Sequence, residues 1–229
     1  MFMKNFPSQE AIDIYNYFKT LPGSEHIGKP VSIDALIQIC GEIKPQRVLE
    51  MGGGIGALSY TLLKYSNAFL DIYEDNEFCI GELRKNLAEY KERFQIISAY
   101  NVLPPSKNYD LVVIDGGTGT EGDGGYSLAA RLFLLYIDSV KVVYLEGYRG
   151  MQRRLARLAL REKYVCRYTP YKEIYVEGKK WHGGLKIVCR LVRSGFVRWT
   201  DFCFWELSSE LRRWYFRIKN IGKSAKSKK

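Results

Sequence analysis

The 229-residue sequence predicts an α/β fold: a doubly wound, mostly parallel seven-stranded sheet closed by an antiparallel hairpin, with helices added at both ends. Three observations predict it. Short apolar runs alternate with helix-length segments from Arg47 to Leu145. Those runs are continuously apolar, as strands are when helices cover both faces of a parallel sheet. Beyond Glu162 the alternation stops, and two β-rich runs follow with no room for a helix between them.

Taken in order, residues 8–20 read as a helix that Ser8 caps, with Ile12, Tyr15 and Phe18 near helical spacing and Leu21-Pro22-Gly23 as its stop. A second helix over 32–40, capped by Ser32, turns Leu36, Ile37 and Ile39 inward, and Gly41 and Pro45 close it. Strands are expected at 47–51, 68–73, 94–98, 111–114 and 141–145, with helices at 56–65, 77–90, 126–136 and 151–162. The closing hairpin pairs 173–176 with 185–191 through a turn over 177–184. Over 201–221, Phe204, Leu207, Leu211, Trp214, Ile218 and Ile221 recur at three- and four-residue steps, with Arg212, Arg213, Arg217 and Lys219 largely off that stripe.

Composition narrows the class. The five cysteines are scattered, odd in number and without a Cys-x-x-Cys pair, which argues against a disulfide framework or thiolate zinc site and for a reducing, cytoplasmic setting. The first ten residues lack a signal-peptide core, and no stretch approaches the ~18 apolar residues of a membrane span. The net charge is +10, and residues 194–229 carry nine Lys or Arg against Asp201, Glu206 and Glu210, or +6 of it. A basic, aromatic tail of this kind suits an anionic membrane surface, with the protein peripheral at its inner face; packing on its own domain, homodimerisation and nucleic acid are the alternatives. The last seven residues also fit a solvated, disordered end.

The sharpest segment is Val48-Leu49-Glu50-Met51-Gly52-Gly53-Gly54-Ile55-Gly56, where a strand enters a glycine-rich turn and then a helix. Glycines there let the backbone approach a ligand closely. Gly52-x-Gly54-x-x-Ala57 also fits a dinucleotide fingerprint, so an NAD(P)- or flavin-dependent oxidoreductase is one alternative, and a bare tight turn is another. Glu50 would lie beside a pyrophosphate, which weighs against the dinucleotide.

With Glu50, Gly52, Gly54 and Gly56 matching its acidic-x-Gly-x-Gly-x-Gly motif, the chain resembles the class I, Rossmann-like methyltransferases over about residues 31–193. The resemblance implies S-adenosyl-L-methionine as cofactor, whose ammonium and sulfonium gain from nearby negative charge. It implies that Glu74, ending the second strand, holds the ribose hydroxyls, and that Ser98 and Ala99 meet the adenine. It places Asp115, ending the fourth strand, at the methyl-transfer site as a cofactor contact or general base. Three segments follow: an N-terminal helical segment (1–30), a methyltransferase domain (31–193) and the basic tail (194–229).

Residues just after strands four and five face the substrate in such sheets. The loop from Asp115 to Tyr126 has six glycines in the ten residues from Gly116, which suits a lid over the site. Tyr126, Glu146 and Arg149 are candidate acceptor contacts, Arg149 because a guanidinium forks onto anionic groups. His182, in the hairpin turn, is a candidate catalytic residue beside Asp115; His26 carries no distinguishing signal. Metal-dependent catechol-type methyltransferases share an Ile-Asp-Gly stretch at strand four but follow strand five with Asp-Asn, where this chain has Glu146-Gly147. No metal is therefore expected, and the acceptor is expected to be a small molecule or glycoconjugate methylated on oxygen. The Pro-Pro-aromatic motif of base-flipping enzymes is absent after strand four; an RNA methyltransferase, which need not carry it, is the further alternative.

Overall fold

The structure, a computed structural model, describes residues 7–117, 122–171, 174–176 and 179–226. Two helices, α1 (Gln9–Lys19) and α2 (Pro30–Ile43), precede the alternation β1 (Arg47–Met51), α3 (Ala57–Tyr65), β2 (Phe69–Tyr73), α4 (Glu77–Asn86), β3 (Phe94–Ile97). It continues through β4 (Asn108–Ile114), α5 (Tyr126–Tyr136), β5 (Ser139–Leu145) and α6 (Gly150–Leu160). The chain then forms β6 (Tyr164–Pro170), β7 (Ile174–Val176), β8 (Lys179–Trp181), β9 (Leu185–Leu191) and the long helix α7 (Gly195–Lys226).

Seven strands make one sheet in the order β3-β2-β1-β4-β5-β9-β6. The first five in sequence are parallel, and β9 runs antiparallel to both β5 and β6. Successive side chains of a strand point to opposite faces. In β1, accordingly, Val48 joins the apolar layer under α1, α2 and α3, while Leu49 and Met51 join the layer under α5 and α6. Helix α1 contributes Ala11, Ile14 and Phe18 to the first layer, so the N-terminal segment shares the sheet's core.

Ser8 caps α1 as expected, accepting from the Ala11 amide. Ser32 does not cap α2. Pro30 starts that helix two residues earlier, its fixed φ suiting the first helical position, and the chain turns out only at Lys44, which adopts φ 44°. Helix α4 ends at Asn86, and a 3₁₀ segment (Ala88–Arg93) completes the expected span.

The closing hairpin uses a different first strand. β9 pairs with Tyr164–Pro170 (Cys166 opposite Cys189), while Ile174–Val176 pairs with Lys179–Trp181 in a separate two-stranded ribbon. The reason is position: β6 is the sheet's edge, where a terminal proline costs no ladder bond and one side stays wet, so its apolar signal is diluted.

One buried carboxylate stitches four strands together. Asp71, in the middle of β2 and fully buried, accepts from Arg47 Nε at 3.0 Å, Gln95 Nε2 at 2.6 Å and the Tyr109 hydroxyl at 2.7 Å. Removing a charge partner inside a protein leaves the others uncompensated. Asp71→Ala is expected to lower unfolding stability by about 3–5 kcal/mol, read from urea midpoints. A loss under about 1 kcal/mol would mean water replaces the carboxylate without cost.

Candidate active site

The strand order steps outward from β1 to β2 and β3 on one side and to β4 and β5 on the other. The helices leaving β1 and β4 therefore diverge, opening a crevice at the carboxyl ends of those strands. The glycine-rich turn lies there. Gly52 has φ +88°, and a Cβ on it would fall 1.5 Å from the Asp115 carbonyl oxygen, so no other residue fits. The Gly52 and Gly53 amides both donate to the Tyr73 carbonyl, at 2.9 and 3.1 Å. A Cβ on Gly54 would meet nothing within 4 Å, so that backbone borders open space.

That space is a cleft of about 350 Å³, lined by the Gly52–Gly54 turn, Glu74, Asp115, Gly116 and Arg149. Glu74 accepts from the Gly54 amide at 2.7 Å and from the Asn76 amide at 2.9 Å, so the carboxylate ending β2 already holds the loop that follows β1. Arg149 Nη2 lies between two carboxylates, 2.8 Å from Asp115 Oδ1 and 3.1 Å from Glu146 Oε2. Its Nη1 donates to the Gly116 and Gly117 carbonyls, tying the loop after β4 to the loop after β5. Ser32 Oγ donates to Glu146 Oε1 at 3.0 Å, which explains the burial of a serine inside α2.

Glu50 lies under this floor, fully buried. Its Oε2 accepts from Ser59 Oγ at 2.6 Å, and its Oε1 has no hydrogen-bond partner among the described residues. Burial pushes its carboxyl up to about 8, against the Ser59 hydrogen bond, and the charges of Asp115 and Glu74 add to the rise. Burial and then Glu146 push Asp115 up to about 8 as well, against the pull of Arg149.

The remaining sequence candidates separate. Gly56, at φ +100°, starts α3 behind the cleft. The Tyr126 hydroxyl bonds the main-chain carbonyls of Met51 and Asp115, bracing β1 to β4, and does not line the cleft. Ser98 and Ala99 follow β3 and are not among the lining residues. Their neighbour Tyr100 stacks on Tyr73 at 5.7 Å and its hydroxyl donates at 3.2 Å to the Tyr73 carbonyl, the same oxygen that the Gly52 and Gly53 amides bond. His182 sits 5.7 Å from the Tyr148 ring and outside the cleft lining. His26, which carries no motif, does line the cleft with Gly28, delivered by the 3₁₀ turn Ser24–His26. The expected lid, the loop 115–126, is described except at 118–121, and its Gly116 and Gly117 line the cleft.

No protein-family model matches the sequence, and no curated protein matches it. Solved structures match the fold. A Pyrococcus horikoshii protein provisionally named an RNA methyltransferase is 18% identical with TM-score 0.55, over 80% of this chain and 99% of that one. A SAM-dependent O-methyltransferase from Thermotoga maritima is 15% identical with TM-score 0.55, over 80% and 72%. A Podospora anserina methyltransferase solved with SAH bound is 12% identical with TM-score 0.51, over 80% and 88%. The fold is that of the class I methyltransferases.

Burial of Glu50 has a consequence for stability. From its ordinary 4.5 up to about 8, the unfolded chain gives up this proton while the folded chain keeps it, so rising pH favours unfolding across that window. Glu50→Gln is expected to shrink the loss of stability between pH 5 and 8, measured as denaturant midpoints. An unchanged slope would show that Glu50 is ionised in the folded protein.

Proposed function

We propose that the chain is an S-adenosylmethionine-dependent methyltransferase that methylates oxygen on a small-molecule or glycoconjugate acceptor without a divalent metal. The observation that carries this reading is the Glu74 carboxylate, fixed across the open turn at Gly54 and beside Asp115 in one cleft. Carboxylates there favour a cationic, ribose-bearing ligand and disfavour a pyrophosphate. The residues fit the cofactor. The turn offers a cradle at Gly54 that a side chain would fill, and Glu50 has one buried oxygen with no partner among the described residues.

Bound there, the cofactor would supply an electrophilic methyl group. Glu74 would accept from the ribose hydroxyls, with the Gly52–Gly54 backbone lying against the ligand. Asp115, its carboxyl pushed up to about 8, has a proton affinity suited to a general base near neutral pH. We assign that role to Asp115 ahead of His182, whose ring lies against Tyr148. Arg149 fixes the Asp115 carboxylate and supplies positive charge between the ends of β4 and β5, where catechol-type enzymes hold a metal. Turnover is expected to survive EDTA, and Arg149→Met to lower it at least tenfold with no rescue by magnesium; EDTA inactivation reversed by magnesium would overturn the metal-free reading.

Calorimetry tests the cofactor directly. Adenosylhomocysteine is expected to bind, and Glu74→Ala to weaken it by about one to two decades, as the loss of charge-assisted bonds implies. Binding of NAD with none of adenosylhomocysteine would move the chain to the oxidoreductases. The net charge of +10 and the Pyrococcus neighbour favour RNA as the second acceptor reading. Labelled cofactor offered with RNA and with hydroxylated small molecules separates the two.

The tail fits an anionic membrane surface. Helix α7 docks by one face: Asp201 binds Arg167 at 3.1 Å, Glu206 binds Arg157 at 2.6 Å, and Trp205 packs edge-on against Tyr168 at 5.1 Å. The predicted stripe lies elsewhere on the helix, with Phe204, Leu207, Leu211 and Trp214 each about 60% exposed (64, 62, 61 and 59%). Asp201 and Glu206 are thus bound to the body, and the segment that carries this stripe has nine Lys or Arg against three acids in its sequence, which matches anionic lipid. No helix among the described residues is long and apolar enough to cross a membrane. Leu207→Glu with Leu211→Glu is expected to cut binding to phosphatidylglycerol vesicles about a hundredfold. Loss of a dimer instead, seen by ultracentrifugation, would make the stripe a subunit interface.

A further inference from the structure

The two strands of the closing hairpin place Cys166 of β6 directly opposite Cys189 of β9. Their kind of pairing follows from the ladder. The Val192 amide donates to the Lys163 carbonyl at 3.1 Å, and the Tyr171 amide to the Gly184 carbonyl at 3.1 Å. In an antiparallel ladder hydrogen-bonded pairs recur every second residue. Counting by twos from either end makes 165 with 190 and 167 with 188 bonded pairs, and Cys166 with Cys189 a non-bonded pair between them. The Cys166 amide agrees, since it points away from β9 and donates to Asp201 Oδ2 of α7 at 3.2 Å.

Non-bonded pairs bring opposed Cα atoms to about 4.5 Å, inside the range that a disulfide spans. Both cysteines are free thiols. The Cys189 thiol has two acceptors in reach, the Ile187 carbonyl at 3.7 Å and the Cys166 sulfur. Hydrogen bonding from Cys189 holds the Cys166 thiol below the usual range and, as donor, Cys189 is pushed up. Cys166 is buried, but Cys189 lines a second cleft of about 350 Å³ at the far end of the sheet from the candidate active site, together with Tyr109, Lys141 and Tyr164. Small polar oxidants therefore have a route to the pair.

We propose that Cys166 and Cys189 form a peroxide-sensitive dithiol that closes reversibly into a cross-strand disulfide. The Cys166 thiolate attacks one oxygen of hydrogen peroxide, the O–O bond breaks, and hydroxide leaves with a proton as water. The Cys189 sulfur, giving up its proton, then attacks the Cys166 sulfenic sulfur; the S–S bond forms and a second water leaves. Two thiols and one peroxide become one disulfide and two waters. The bond staples the edge strand β6, and with it the docking site of α7, to β9.

Peroxide treatment of the full chain, followed by alkylation, digestion and mass spectrometry, is the test. A peptide pair linked through 166 and 189 and released by dithiothreitol is expected, with a rise in Tm of about 5 °C in the oxidised protein. Cys40, which burial pushes up to about 12, is expected to remain a thiol. Because replacing buried Cys166 could unfold the hairpin, the informative variant is Cys189→Ser. It is expected to abolish the cross-link and leave a dimedone-reactive sulfenic acid at 166. Separate thiols at both positions after peroxide, or sulfinic acid at either without a cross-link, would overturn the proposal.

Discussion

Everything at the candidate site depends on how closely β1 and β4 approach at their carboxyl ends. The Gly52 backbone lies against the Asp115 carbonyl, at a distance and a φ that only glycine tolerates. That contact sets the direction of the turn, which lets the Gly54 amide meet Glu74 and leaves open space above it. The Tyr126 hydroxyl holds the same juncture from below through the Met51 and Asp115 carbonyls. The crevice is thus the consequence of a packed strand pair and not of an absence of packing.

The electrostatics follow from the same geometry. Glu50 lies inside β1 near its end, and Glu74, Asp115 and Glu146 directly follow β2, β4 and β5, so four neighbouring strands bring their carboxyls to one end of the sheet. Arg149 and two raised carboxyls absorb the strain, with Glu50 and Asp115 both near 8. A cationic ligand relieves what remains, since it would favour ionisation of both acids. Arg149 is the positive charge that the chain itself sets between Asp115 and Glu146.

At the opposite end, the mixed part of the sheet solves an edge problem. β6 presents unpaired main-chain groups, and Asp201 of α7 takes one of them at the Cys166 amide. Arg157 and Arg167 anchor the same helix by ion pairs. The helix thereby docks through Asp201, Trp205 and Glu206 and leaves Phe204, Leu207, Leu211 and Trp214 exposed.

The sequence alone determined the parallel alternation, the Gly52–Gly56 turn and the positions of Glu74, Asp115 and Arg149, because each of these is local. A strand end and the loop after it are contiguous in the chain, so a residue's place follows from its own neighbourhood. It did not determine what lies across space. Asp71 reads as one acid in an apolar strand until Arg47, Gln95 and Tyr109 are brought to it. His26 reaches the cleft only because α1 and α2 fold onto the sheet. Tyr164–Pro170 displaces 173–176 from the hairpin because pairing with β9 depends on which strand the edge can accept, and residue pattern does not encode that. Five scattered cysteines imply no disulfide framework, yet antiparallel register sets two of them face to face. Tertiary structure alone decided these, since long-range pairing is chosen by the packing of the whole sheet and not by any one segment.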